Sequence, residues 1–261
     1  MAHFKFRLLI AVFAAFALAF VAGCQSTPQT PRANLSAGYQ AYQNHDFAAA
    51  HNTAAAFVRA NPKSPNIDEA YYLAGLAQEA QGHVAAAQTD YLAAISHSNR
   101  PQLISKSSAA LGDIAYAAGH FQRAIAYYQR AAQVDPAVGL PVPALMRLAI
   151  SQQNVGDWAA ANATFSAIEQ AAPGTTAALI AQQRYRQNHF CVQFGAYSLS
   201  SAAWNEIRLL HLAGVNALVV AQSLHGQTLY LVQSGFFSTF KAALAARTVW
   251  AVHQPQAIVV P

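Results

Sequence analysis

The chain has 261 residues, only 10% of them charged, and a formal net charge of +5 at pH 7. This length predicts one or two domains. The mild positive charge argues against a nucleic-acid partner, because such partners require a concentrated basic patch. The 10 histidines are scattered without ligand spacing, so neither a metal site nor a cofactor is expected.

The first 24 residues have the order of a secretory signal: a basic start, a short apolar run, and small residues before a cysteine. Lys5 and Arg7 precede an apolar run of 15 residues, from 8 to 22. A membrane-spanning helix needs about 20 apolar residues, so an uncleaved transmembrane helix is the less favoured alternative. The sequence Val21-Ala22-Gly23-Cys24 resembles the lipobox of bacterial lipoproteins.

The lipobox resemblance implies that residues 1–23 are removed as a signal peptide and that Cys24 carries lipid, which anchors the protein to a membrane. In proteobacterial lipoproteins an Asp after the cysteine resembles an inner-membrane retention signal, but Gln25 occupies this position. We therefore expect anchoring to the outer membrane, facing the periplasm, in a host that has two membranes. Residues 24–32 then form the lipidated N-terminus and linker.

Residues 33–186 contain a repeat with a period of 37 residues. Four dipeptides mark this period: His45-Asp46, Gly82-His83, Gly119-His120 and Gly156-Asp157. Other residues recur at the same spacing: Ala50, Ala87, Ala124 and Ala161, then Ala54, Tyr91, Tyr128 and Phe165. A fixed period of this length predicts a stacked repeat array.

This pattern resembles the tetratricopeptide repeat, in which each unit is a helical hairpin. The resemblance implies about four units, with small alanines that let helices approach, followed by a capping helix at 175–186. The family's usual period is about 34 residues. We expect the extra residues in proline-containing connectors at 61–65, 99–101 and 135–143, because proline stops each second helix there.

In the family register, four tyrosines line a concave groove that would bind an unidentified envelope protein: Tyr39, Tyr42, Tyr72 and Tyr116. Tyrosine suits such a groove because it offers a broad apolar face with a polar tip. The alternative is that these tyrosines pack between neighbouring repeats. Residues 33–186 carry nine basic and nine acidic side chains, so charge indicates no partner specificity.

The pattern changes at residue 190 to the order β-α-β-β-α-β. Strands are predicted at 190–198, 217–221, 228–234 and 257–260, and helices around 204–211 and 239–252. The segment Val192-Gln193-x-Gly195-x-x-Ser198 recurs 40 residues later as Val232-Gln233-x-Gly235-x-x-Ser238. We expect each glycine of this duplicated segment to end a strand, where the chain turns sharply into a helix.

Residues 188–261 resemble the SPOR domain of bacterial envelope and division proteins. The segments 192–197, 213–214 and 230–237 carry the resemblance. It implies binding of peptidoglycan, notably glycan strands stripped of their peptides at division sites, across an exposed sheet face. RNA-binding RRM domains share this element order, but they stack bases on aromatic residues of the central strands. The outward positions here carry no aromatic residue, so that alternative is rejected.

Strand alternation predicts which residues point toward the helices: Val192, Phe194, Tyr230 and Val232. The resemblance implies a glycan-binding face made of Gln193, Ala196, Leu229, Leu231 and Gln233. Leu231 and Gln233 occupy positions where the family commonly carries arginines, and Ala196 one where a hydroxyl residue is common. Gln193 matches the family's glutamine and can bond sugar hydroxyls or acetamides. The alternative for Gln193 is a solvated strand residue.

The sequence thus predicts a multidomain protein, an all-α tetratricopeptide-like array followed by an α+β SPOR or ferredoxin-like domain, with only residues 187–189 between them. The expected function is an envelope lipoprotein that binds peptidoglycan and scaffolds a protein partner. The alternative is an outer-membrane assembly or polysaccharide-secretion scaffold whose last domain contacts protein. No enzyme is expected, because no nucleophile stands at motif spacing from a base and Glu206 is the one acid after residue 169.

Overall fold

The computed structural model describes residues 35–224, 226–252 and 254–261. The predicted signal peptide 1–23, the lipidation site Cys24 and the linker 24–32 lie outside the described residues, so these assignments stay predictions. Within the described ranges, every helix is too short or too polar to cross a membrane.

The first part of the described chain consists of nine helices, and consecutive helices pack against each other. They are α1 (Leu35–Gln43), α2 (Phe47–Ala60), α3 (Ile67–Ala80), α4 (Val84–His97), α5 (Pro101–Ala117), α6 (Phe121–Val134), α7 (Val142–Asn154), α8 (Trp158–Ala171) and α9 (Thr176–Arg184). This arrangement confirms the predicted helical array. Helices α2 and α6 end just before Pro62 and Pro136 of the predicted connectors, where proline stops a helix. Pro101 instead is the first residue of α5, a position that proline favours, so it does not end α4.

The four marker dipeptides lie in the turns between the two helices of each hairpin. The first residues of the four marker dipeptides all have a left-handed backbone, with φ of 61° at His45, 78° at Gly82, 71° at Gly119 and 87° at Gly156. Glycine adopts this conformation without steric cost, whereas for His45 the Cβ atom makes it costly. The aspartates that follow His45 and Gly156 then cap α2 and α8 with their side chains, which satisfies a free amide at each helix start.

Small residues allow the two helices of a hairpin to touch. The four repeat alanines are fully buried: Ala50, Ala87, Ala124 and Ala161. In the third hairpin Gly112 lies under the ring of Tyr128, and a Cβ on this glycine would come within 2.7 Å of the ring. Gly75 and Tyr91 repeat the same contact in the second hairpin. The buried tyrosine ring therefore packs directly on the backbone of the preceding helix.

The last part of the chain forms a four-stranded antiparallel sheet in the order β2-β3-β1-β4. Its elements are β1 (Phe190–Tyr197), α10 (Ser200–Leu212), β2 (Leu218–Leu224), β3 (Gln227–Phe237), α11 (Phe240–Trp250) and β4 (Ile258–Val260). The predicted order β-α-β-β-α-β is confirmed. Residues from the strands and both helices share one buried core, which includes Val192, Phe194, Ala203, Leu210 and Val232.

Gly195 and Gly235 lie inside β1 and β3, so the expectation that they end strands is wrong. Each glycine instead makes room for an aromatic ring two residues later. A Cβ on Gly195 would come within 2.7 Å of the Tyr197 ring, and a Cβ on Gly235 would collide with the Phe237 ring. The pairing of β1 with β3 shifts register next to each glycine, which is the behaviour of a β-bulge.

Aromatic contacts join the array to the last domain. Trp158, at the start of α8, lies 5.0 Å from Phe190 between ring centroids, and Phe190 lies 5.7 Å from Phe240. In the short linker His189 stacks on Phe236, with centroids 3.7 Å apart. Both the linker and the start of β1 are therefore held by packing.

Candidate functional site

The open face of the sheet is organised in rows that cross the strands. In the first row Leu218 of β2 pairs with Gln233 of β3, and Gln233 pairs with Gln193 of β1. Gln193 also pairs with Ile258 of β4. Leu218 and Ile258 are 50% and 52% exposed, and the two glutamines are half-buried. The row thus crosses all four strands, a distance of about 14 Å.

The second row consists of Val220, Leu231 and Ala196. Strict alternation from Val192 would turn Ala196 toward the helices. The bulge at Phe194 inserts one residue, and Ala196 therefore lies exposed on the open face, paired with Leu231. A third pair, Leu229 with Gln222, continues the face. The structure thus brings the five residues of the predicted face onto one surface.

A hydrogen bond joins the two glutamines at the centre of the first row. The Nε2 atom of Gln233 donates to the Oε1 atom of Gln193 at 3.2 Å. The two residues occupy equivalent positions in the duplicated segment, 40 residues apart. Strand pairing therefore brings the two copies of one sequence motif into direct contact.

The three rows contain only aliphatic and carboxamide side chains. Such a surface can donate and accept hydrogen bonds without carrying a charge, and it suits a neutral polar ligand with apolar patches. Sequence reasoning missed Leu218, Val220 and Ile258 as part of this face. The predicted strands 217–221 and 257–260 contain these residues, but the sequence does not say which strands are neighbours in the sheet. Across the described residues no three His, Cys, Asp or Glu side chains group in a way that could hold a metal ion.

The four predicted groove tyrosines are all half-buried. Tyr39 and Tyr42 pack against the cluster around Leu35 in the first hairpin. Tyr72 lies 5.9 Å from Tyr91, and Tyr116 lies 6.0 Å from Phe121, between ring centroids. Burial is the main reason that the pKa values of Tyr39 and Tyr72 are raised. All four tyrosines thus contribute to packing but are only half-buried, so the groove and the packing alternative both stay predictions.

A cavity of about 680 Å³ opens beside Tyr72 in the array. Its ionisable lining residues, apart from tyrosines, are Glu79, Lys106, Asp113 and Asp135. The Tyr91 hydroxyl donates to Glu79 at 2.6 Å, and burial followed by this bond raises the Tyr91 pKa. Arg147 already pairs with Asp113 at 2.9 Å. Glu79 and Asp135 then leave a small excess of acid over Lys106 in the lining, which favours cationic groups of a partner.

Three family models match parts of this chain. Residues 24–132 match the YfiO outer membrane lipoprotein family, residues 109–174 match the tetratricopeptide repeat, and residues 187–261 match the SPOR domain. No curated protein matches the chain. The three family matches agree with the division into a helical array and an α+β domain.

Solved tetratricopeptide structures also resemble the array. One is a tetratricopeptide repeat protein from Parabacteroides merdae ATCC 43184, 17% identical, covering 57% of this chain and 56% of that chain, with a TM-score of 0.48. Another is PilF of Pseudomonas aeruginosa, 16% identical, covering 57% of this chain and 64% of that chain, with a TM-score of 0.49. In both cases the match spans less than two thirds of the solved protein.

Proposed function

We propose that this chain, a tetratricopeptide repeat array joined to a C-terminal SPOR domain, binds peptidoglycan through the open sheet face, specifically peptide-stripped glycan at division sites. The array scaffolds an unidentified envelope protein in this proposal. Lipid on Cys24 anchors the protein to the outer membrane, facing the periplasm. The protein acts by binding and carries out no catalytic step.

The paired glutamines on the open face carry the glycan-binding proposal. Glycan offers hydroxyl and acetamide groups, which are neutral and both donate and accept hydrogen bonds. Gln193 and Gln233 present the same capacities in the middle of the sheet. Leu218 and Ile258 on either side can cover the apolar faces of the sugar rings.

Two observations support the envelope location. The match to the YfiO outer membrane lipoprotein family begins at residue 24, which is the cysteine of the lipobox-like sequence. The SPOR match at 187–261 supports a position next to the cell wall. A protein with Cys24 anchored in the outer membrane and its last domain on glycan would connect the outer membrane and the cell wall.

Co-sedimentation with purified sacculi tests the proposal. The full chain in detergent is mixed with sacculi before and after treatment with an amidase that removes the peptides. Binding should rise after amidase treatment and fall in Gln193→Ala, while the array variant Gln133→Ala should bind normally. Absence of binding to either preparation would overturn the glycan-binding proposal.

A second candidate function is a scaffold for outer-membrane assembly or polysaccharide secretion. The observation that favours it is the apolar character of the open face, where Leu218, Val220 and Ile258 are 50%, 38% and 52% exposed. A photo-crosslinking residue in place of Leu218 would distinguish the two functions in cells. Crosslinks to an envelope protein support the scaffold, and crosslinks to glycan support the first proposal.

A further inference from the structure

We infer that the Gln193–Gln233 pair is a selective site for the acetamido group of N-acetylated sugars, a role that rests on the proposed glycan binding and narrows its ligand. The pair lies at the centre of the first row, with Leu218 on one side and Ile258 on the other. The row therefore has the order apolar, amide, amide, apolar. An acetamido group has the matching parts, one amide and one methyl group.

The hydrogen bond between the glutamines determines what remains for a ligand. Each carboxamide has two N–H donors and one carbonyl oxygen with two lone pairs. The bond from Gln233 to Gln193 uses one donor and one lone pair. The opposite orientation of both amides would use the same two capacities, so the result does not depend on which glutamine donates. In either case the pair offers adjacent N–H and C=O groups.

An acetamido group satisfies both of these at once, because its carbonyl accepts from one glutamine and its N–H donates to the other. Below its pKa, a sugar amine without its acetyl group is an ammonium, which has no acceptor for the free glutamine N–H. It is also a strongly hydrated charge, and the three rows of the face carry no carboxylate to pair with it. A ligand that leaves a half-buried glutamine N–H or C=O group without a partner therefore binds more weakly.

The apolar ends of the row add to the selection. Leu218 and Ile258 leave about half of their surface open, and each is the cross-strand neighbour of one glutamine. The acetyl methyl group can pack against either side chain and lose its contact with water. Removal of the acetyl group removes this contact together with the amide bonds. We expect the combined loss to weaken binding about tenfold or more.

The test compares three forms of one peptide-free glycan: native, chemically N-deacetylated, and N-deacetylated then acetylated again. Dissociation constants are measured for the full chain in detergent at mildly acidic pH, where the free sugar amines are protonated. Deacetylation should weaken binding about tenfold, and renewed acetylation should restore it. Gln193→Ala and Gln233→Ala should lose this preference, while Gln133→Ala should keep it.

A variant that introduces a charge separates recognition from folding. Gln233→Glu keeps the side-chain size and supplies a carboxylate, so its preference should invert toward the deacetylated, cationic glycan. Equal binding of all three glycan forms by the unmodified chain would overturn the acetamide site and leave glycan binding intact. Failure to bind any of the three forms would overturn the proposed function itself.

Discussion

The indole Nε1 atom of Trp158 in the array donates a hydrogen bond to the backbone oxygen of Ser238 in the C-terminal domain, at 3.0 Å. Gly156 lies beside the same carbonyl, and a Cβ at Gly156 would come within 2.8 Å of it. The turn of the fourth hairpin is therefore fitted to the end of β3. A short linker and this contact together hold the two domains in one orientation.

Trp158→Ala should release the domains from each other. The variant loses one hydrogen bond and the ring contact with Phe190, each a contribution of about 1 kcal/mol. NMR relaxation should then report separate tumbling of the array and the C-terminal domain, whereas the unmodified chain should tumble as one body. Trp204→Ala is the matched control, because Trp204 is 61% exposed on α10. Separate tumbling already in the unmodified chain would contradict the docked arrangement.

Gly112→Ala should destabilise the array by about 1–3 kcal/mol, because the added methyl group meets the Tyr128 ring. A hydrogen bond from the Tyr128 hydroxyl to Asp113 holds this ring in place. The fourth hairpin carries Ala149 and Phe165 at the equivalent positions, both fully buried. Adding Tyr128→Phe to Gly112→Ala should therefore recover part of the stability in urea unfolding. A double variant less stable than Gly112→Ala alone would contradict this explanation.

Asp68 ties the second hairpin to the next connector through Arg100, whose Nε atom donates to its Oδ2 at 3.0 Å. Burial alone would raise the pKa of Asp68, but hydrogen bonds from Arg100 and Ser98 outweigh it and hold this pKa below its ordinary value. A lowered folded-state pKa stabilises the protein above the unfolded-state pKa of about 3.9. This contribution disappears as pH falls through the folded-state value.

Asp68→Asn should therefore lower the free energy of unfolding at pH 7 by about 2 kcal/mol, and the difference from the unmodified chain should shrink in acid. Urea unfolding at neutral and acidic pH measures both. Asp90→Asn is the control, and it should instead raise the free energy of unfolding at pH 7. Burial raises the pKa of Asp90, so its charge disfavours folding. A pH-independent effect of Asp68→Asn would rule out the ion pair as the cause.

Glycan binding by the uncharged face should depend little on salt. Between about 50 mM and about 500 mM NaCl we expect less than about a twofold change in affinity, because screening acts on charges. Leu231→Arg places an arginine where SPOR domains commonly carry one, and should strengthen binding at low salt through the muramic acid carboxylates. Leu212→Arg adds the same charge at an 82% exposed position on α10 and controls for net charge. Strong salt dependence of the unmodified chain would contradict the neutral binding mode.

His45→Gly should stabilise the first hairpin. His45 has a φ of 61°, which costs a residue with a Cβ about 1 kcal/mol. Part of the gain is offset by the greater freedom of glycine in the unfolded chain, so a net increase of about 0.5 kcal/mol is expected in thermal unfolding. Gly119→Ala makes the reverse change in the third hairpin and should lower stability. A less stable His45→Gly variant would show that the contact of His45 with Phe47 outweighs the strain.

The sequence was sufficient to predict those features of the fold that depend on nearby residues alone. The spacing of His45, Gly82, Gly119 and Gly156 predicted four hairpins, and each of these residues lies in a hairpin turn with a left-handed backbone. Alternation in β1 and β3 placed Val192 and Val232 in the core, where both are fully buried. These features depend on backbone conformation and side-chain period, and neighbouring residues determine both.

The order of the elements, the helical repeats and the residues of the central strands were therefore determined by the sequence itself. The row Leu218–Gln233–Gln193–Ile258, the outward position of Ala196 and the contact of Trp158 with Ser238 were settled only in the folded chain. Each depends on which distant segments become neighbours and on a bulge that shifts their register. Long-range packing makes that choice, and no short stretch of sequence contains it.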